Sequence, residues 1–309
     1  MKAIRIHSYG AASEMKLEEA PMPTCGDNDI LIRVAACGVN PIDWKIRAGF
    51  LSQVLRYHMP LILGQECAGI VDAVGKDVTA FKAGDAVYTM VGFDHTGTYA
   101  AYVAVDASRV ALMPTSLSFN EAASMPLTAL AAWNAVEAAQ LKPGRQVLVH
   151  GGGGGVGSLA IQFAKRLGAH ITTTAATKDK TLVEELGAHF VIDYQTTDFS
   201  SLTGNMDAVI DTVGGNVQEA SWKTLMRGRT LVALTEPPSH EQAATHGVKA
   251  EFIFTQPSGE TLARIASLID VGVVKPLAIR SYDLSQAAGV HERGEGARLS
   301  GRTILRVAQ

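Results

Sequence analysis

The sequence predicts an α/β fold in two parts, a β-rich part and a doubly wound parallel sheet, on three observations. Short apolar runs separated by glycines fill the first third. From Gln146 such runs alternate with helical stretches, and five consecutive glycines, Gly151 to Gly155, stand between one run and one stretch. Successive strands with tight turns build barrels or sandwiches, whereas strand–helix alternation builds a parallel sheet covered on both faces.

In chain order, Lys2 to His7 alternates apolar and polar residues, the period of a half-buried strand. Ile30 to Ala36, Ala68 to Val74, Ala86 to Met90 and Tyr99 to Val105 are further strand candidates, punctuated by Gly64, Gly69, Gly75, Gly84 and Gly97. Glu121 to Leu141 is alanine-rich and reads as one helix, with Ser118 or Asn120 as its cap and Lys142-Pro143-Gly144 as its stop. Val147 to His150 is then a strand, Val156 to Leu167 an amphipathic helix, His170 to Thr174 a second strand and Lys178 to Leu186 a second helix. Phe190 to Ile192, Ala208 to Ile210 and Thr230 to Leu234 continue the strand series. From about Pro276 the tail offers one helix-like segment and the strand Thr303 to Val307, which spacing alone does not assign to the α/β part.

The 309 residues suffice for about two domains, and 47% hydrophobic content excludes a largely disordered chain. With 27 basic against 30 acidic residues there is no broad electrostatic footprint for nucleic acid or an acidic membrane. Three cysteines (Cys25, Cys37, Cys67) make no disulfide framework, and MKAIRIHSYG lacks the apolar core of a signal peptide, so a cytoplasmic home is expected. Ala122 to Leu141 is interrupted by Pro126, Asn134, Glu137 and Gln140, and is expected as a buried helix rather than a membrane span.

Gly152, Gly154 and Gly157 satisfy G-x-G-x-x-G between a strand and a helix. Lacking Cβ, they permit the tight turn, the approach of a pyrophosphate and close helix–strand packing. The N–H groups opening the helix, those of Gly155 and Val156 among them, are then phosphate donors. At the end of the second strand the chain reads Thr174-Ala175-Ala176-Thr177-Lys178, with no carboxylate before Asp179. Without an acid to meet the ribose or repel a 2′-phosphate, and with Thr177 and Lys178 as donor and charge, NADPH is favoured over NADH. The plainer reading of Lys178 is a solvated residue in a first helical turn.

The string VLVHGGGGGVGSLAIQFAKRLGA, together with CGVNPIDWKIRAG, LGQECAGIVDAVG, FKAGDAVY, TYAAYVAV and GRTILRV, resembles the medium-chain dehydrogenase/reductase superfamily, and within it the zinc-free quinone and enone reductases. The resemblance runs in order along nearly the whole chain. It implies a GroES-like β domain formed by residues 1–120 with 275–309, which gives the final strand a home, and an inserted Rossmann domain over 121–274. Where zinc-dependent relatives hold cysteine and histidine ligands, this chain has Asn40 and Gln65, and no cysteine stands near Leu127 and Thr128. Amides are poor zinc ligands beside thiolate and imidazole, so no metal is expected.

The resemblance further implies hydride transfer from NADPH to the conjugated carbon of an enone or to a quinone. Lys45 stands where quinone reductases usually carry a tyrosine, and is the candidate catalytic cation, binding the nicotinamide ribose or the substrate oxygen; otherwise it is a solvated lysine paired with Asp43. Asn40 is expected near the nicotinamide, Thr128 near its carboxamide, and Tyr194 and Arg298 near the 2′-phosphate. Thr212 to Gly215 and Thr235 stand at strand ends where such sheets bind ligands. A quinone reductase proper is one alternative, and a non-catalytic NADPH-binding protein of crystallin or RNA-binding type another. The expected partners are a small conjugated carbonyl or quinone and a second copy of the chain in a homodimer, with neither nucleic acid nor membrane.

Overall fold

The structure, a computed structural model, describes residues 1–296 and 301–307, so Arg298 lies outside the described residues. They divide into two compact units, Met1–Leu127 with Gln256–Gly272 and Pro276–Gln309, and Thr128–Thr255 with Val273–Lys275.

The first unit opens with β1 (Lys2–Ile6), β2 (Lys16–Glu19), β3 (Asp29–Val39), the helix α1 (Pro41–Arg47), β4 (Leu61–Ile62), β5 (Glu66–Val74), β6 (Ala86–Met90), β7 (Tyr102–Asp106), β8 (Val110–Leu112) and the one-turn helix α2 (Phe119–Ala122). Along β3 the side chains of Ile30, Ile32 and Val34 are almost wholly buried while their neighbours are not, the period-2 pattern that fixes register. They form one core with Val71, Val87, Val103 and Val105. Antiparallel pairing runs β3–β5–β6–β8, with β7 on the other edge of β3.

The second unit contains nearly all of α3 (Pro126–Ala138), then β9 (Gln146–His150), α4 (Gly155–Arg166), β10 (His170–Ala175), α5 (Lys180–Leu186), β11 (Phe190–Asp193), α6 (Phe199–Leu202), β12 (Met206–Asp211), α7 (Asn216–Ser221), β13 (Leu225–Ala233), α8 (His240–His246) and β14 (Lys249–Phe252). The single helix expected over Glu121 to Leu141 is two. Pro126 has no N–H to give and its ring crowds the preceding turn, so it opens α3 instead of continuing α2. The six parallel strands lie in the order β11-β10-β9-β12-β13-β14, with Val147, Leu148 and Val149 fully buried at the centre. The order reverses between β9 and β12, and ligands of such sheets bind at the carboxyl ends of the strands flanking that switch.

The chain then returns to the first unit with α9 (Gly259–Asp270), β15 (Ile279–Asp283), α10 (Ala287–Gly296) and β16 (Arg302–Arg306). The resemblance put the boundary at residue 275, after α9. This helix packs on β6 and β8, Tyr88 donating to the Leu262 carbonyl at 2.6 Å and the Asp270 carboxylate accepting from the N–H of Ser116 at 3.0 Å. β16 pairs antiparallel with β3 and parallel with β15. Among the described residues no helix is long and apolar enough to cross a membrane.

Candidate active site

In the first unit the strands β3, β5 and β16 bring three buried polar side chains together. Glu66 Oε1 accepts from Asn40 Nδ2 and from Arg302 Nη2, both at 2.7 Å, and Glu66 Oε2 accepts from the N–H of Leu127 at 2.7 Å. Arg302 Nη2 also donates to Asn40 Oδ1 at 2.8 Å, and its Nε donates to the Ser124 carbonyl at 3.1 Å. Both ends of the Asn40 amide are thus held, and the carboxylate of Glu66, with no exposed surface, faces a guanidinium. Burial pushes the Glu66 carboxyl up while Arg302 and Asn40 pull it down. Gly38 is required beside it, since a Cβ there would lie 2.0 Å from Glu66 Oε1.

This donor set does not fit zinc. The amide of Asn40 is already bonded at both ends, and a guanidinium supplies the positive charge that Glu66 needs. Burial holds the thiols of Cys37 and Cys67 protonated, with Cys37 donating to the Thr98 carbonyl at 2.8 Å. Among the described residues no group of three or more His, Cys, Asp or Glu could hold a metal ion.

Helix α1 starts at Asn40, whose N–H donates to Asp43 Oδ2 at 2.7 Å. Asp43 is fully buried, also accepts from the Tyr99 hydroxyl at 3.2 Å, and is pushed up to about 7 chiefly by desolvation. Because the unfolded chain ionises first, near pH 4, and the folded chain only near 7, stability present below about pH 4 is lost as pH rises through 7. The loss is on the order of 4 kcal/mol. Asp43→Asn keeps an acceptor for the Asn40 N–H and removes the charge. The expected result in urea unfolding from pH 4 to 8 is a variant whose stability falls less than the parent's and exceeds it at pH 8. Parallel pH profiles would show that Asp43 is ionised without cost.

Lys45, two residues on, is half-buried, with Nζ 5.9 Å from the Trp44 ring centroid. Asp43 is turned to Asn40 and Tyr99, so the Asp43–Lys45 pair of the alternative reading does not form, and among the described residues no carboxylate lies within ion-pair distance of the ammonium.

In the second unit β9 ends on His150, buried against Phe199 and bonded to Thr174 Oγ1 at 3.1 Å and Ser221 Oγ at 3.0 Å. Desolvation pushes it down to about 3, so it packs as the neutral ring. Gly151 follows with φ of +72°, and the Gly152 N–H donates to the Thr174 carbonyl at 3.0 Å. A Cβ on Gly157 would lie 2.3 Å from the Gly151 carbonyl oxygen, which is why the turn demands glycine there. The first-turn N–H groups of α4, at Gly155, Val156 and Gly157, have no intrahelical acceptor and remain for a phosphate. The donor set of this turn fits a dinucleotide pyrophosphate.

Of the other expected residues, Thr177 and Lys178 are exposed just after β10, and Tyr194 just after β11. Thr235 follows β13, its hydroxyl beside Gly214, where a Cβ would approach it to 2.6 Å. Thr128 is buried in the first turn of α3. The end of β10 carries no acid, as the sequence indicates, but the fold brings two from elsewhere. Asp193 accepts from the Thr177 hydroxyl, which holds it ionised, and Asp179 lies against Gly153. No role for Arg302 is legible in the sequence; the available signal is an arginine opening a mostly apolar strand whose other charge, Arg306, is exposed.

Residues 26–115 match the Alcohol dehydrogenase GroES-like domain family and residues 186–305 the Zinc-binding dehydrogenase family, although the donor set here does not fit the metal in the latter's description. The chain is 35% identical to 2-methylene-furan-3-one reductase of Solanum lycopersicum over 289 residues, covering 90% of this chain and 71% of that one. The structure of the quinone oxidoreductase from Coxiella burnetii is similar with a TM-score of 0.92 and 34% identity, covering 100% of this chain and 99% of that one. The Escherichia coli quinone oxidoreductase complexed with NADPH is similar with a TM-score of 0.89 and 28% identity, over 99% of this chain and 100% of that one. The chain belongs to the medium-chain dehydrogenase/reductase superfamily, in its zinc-independent quinone and enone oxidoreductase family.

Proposed function

We propose that this chain is an NADPH-dependent reductase of enones or quinones in which Lys45 stabilises the charge that develops on the acceptor oxygen. One observation carries this reading, the buried cluster in which Glu66 and Arg302 hold the amide of Asn40, the residue that stands where zinc-dependent relatives carry a cysteine ligand. With no ligand set for a Lewis acid, a conjugated acceptor is favoured, because it delocalises the incoming charge onto an oxygen that a single cation can meet. When bound, NADPH supplies the hydride. The N–H groups of Gly155, Val156 and Gly157, in the turn that Gly152 and Gly154 permit, hold its pyrophosphate; Thr177, Lys178 and Tyr194 meet the adenosine end; Thr128 and Thr235 meet the nicotinamide end. Asn40, fixed by Glu66 and Arg302, gives the acceptor end a rigid wall, and Lys45 donates to the enolate or quinol oxygen.

The test is NADPH oxidation by purified protein with matched enones, quinones and saturated ketones, beside NADP+ reduction with the corresponding alcohols, before and after chelation. Turnover is expected with the conjugated acceptors only, unchanged by the chelator. Chelator-sensitive oxidation of simple alcohols would overturn the reading, and so would NADPH binding with no turnover across the panel, which would leave a binding protein.

A further inference from the structure

Asp179 occupies the N-cap position of α5, where an aspartate ordinarily accepts from the backbone N–H groups of its own helix. Here its side chain makes no such bond. It turns instead to the glycine loop, so close that a Cβ on Gly153 would lie 2.6 Å from Asp179 Oδ2 and 2.8 Å from its Cγ. The carboxylate is half-buried, and the loop it touches leads directly into the unpaired donors at the start of α4. A carboxylate that forgoes its local partners beside a phosphate-binding turn retains acceptor capacity for a ligand and opposes added negative charge there.

Its position identifies the ligand group. Asp179 follows Gly157 by roughly 20 residues, the interval at which dinucleotide folds place an acid on the adenine ribose. It does so not from the end of β10, where Ala175 and Ala176 stand, but from the short turn Thr177–Asp179 beyond it. The neighbouring charges are mixed. Lys178 and Lys180 flank it in sequence, Lys180 lies 4.0 Å from Glu184, and Asp193 is bound by Thr177. A 2′-phosphate therefore meets Lys178 together with two carboxylates, whereas a 2′-hydroxyl meets an acceptor.

We propose that Asp179 is a specificity-determining residue of the dinucleotide site, accepting from the 2′-hydroxyl of NADH and opposing the 2′-phosphate of NADPH, so that the chain binds both reduced cofactors. This rests on the assignment of the glycine loop to a dinucleotide. The experiment is equilibrium binding of NADH and NADPH, followed by nicotinamide fluorescence, to the parent, Asp179→Asn and Asp179→Ala. The parent should bind both cofactors. Both variants should bind NADPH about tenfold more tightly and NADH about tenfold more weakly, the lower end of the range for one altered charge-assisted bond. Asn keeps the volume beside Gly153, and thermal unfolding of each variant monitors the loop's packing. Equal changes for the two cofactors, or none, would overturn the proposal and make Asp179 a packing residue of the loop. A parent that binds NADPH alone would overturn it while leaving the functional reading intact, and a parent that binds neither would overturn both.

Discussion

Arg302→Met is expected to destabilise the first unit by about 3–5 kcal/mol, the scale for removing one partner of a buried ion pair. Glu66 has no exposed surface and would keep the Asn40 amide and the Leu127 N–H as donors but no positive charge from Arg302. Burial already pushes its carboxyl up with the guanidinium present. Without it the folded chain favours the protonated form over a wider pH range, so the deficit should shrink as pH falls from 8 to 5. The double variant Glu66→Gln, Arg302→Met removes both charges and should recover much of the loss, because an amide costs far less to bury than an unpaired carboxylate. Urea unfolding of the three proteins at both pH values measures this. A loss below about 1 kcal/mol for the single variant would mean that water reaches Glu66 and that the pair behaves as a surface one. Activity should fall in the single variant as well, since Arg302 also anchors the Asn40 carbonyl oxygen.

The parallel sheet was legible because its central strands are buried on both faces and read as unbroken apolar runs. Its last strand, Lys249–Phe252, was not, because as an exposed edge strand it carries Lys249 and Glu251 among four residues. Lys16–Glu19 escaped notice for the same reason, pairing only with β1 and exposing most of its side chains. Within the site, the glycine turn is a local device whose residues are contiguous, so spacing reveals it. The Asn40–Glu66–Arg302 cluster joins residues up to 262 positions apart, and no local pattern announces which charge at the start of a mostly apolar strand meets which. Asp179 was visible as the first acid after β10, but a sequence does not say that an N-cap side chain abandons its helix for Gly153.

Lys45→Met should lower the rate of hydride transfer about a hundredfold, on the order of 3 kcal/mol of transition-state stabilisation, while weakening NADPH binding much less. The ammonium is half-buried on α1, a helix whose first turn is fixed by the Asn40–Asp43 bond, and it rests near the Trp44 ring rather than on a carboxylate. A cation not neutralised by a neighbour and partly withdrawn from water interacts strongly with an oxygen that gains charge during the reaction. Methionine keeps much of the side-chain volume and removes the charge, so the loss reports electrostatics rather than a cavity. Lys45→Arg should recover the rate only in part, because the planar fork cannot place its charge at the ammonium's position. Single-turnover hydride transfer measured beside cofactor affinity separates the two roles: a large fall in rate with near-parental NADPH binding marks a group acting on the acceptor, whereas an equal loss in both marks a cofactor contact. Rates within about twofold of the parent would make Lys45 a bystander, with catalysis resting on the positioning of cofactor and acceptor alone.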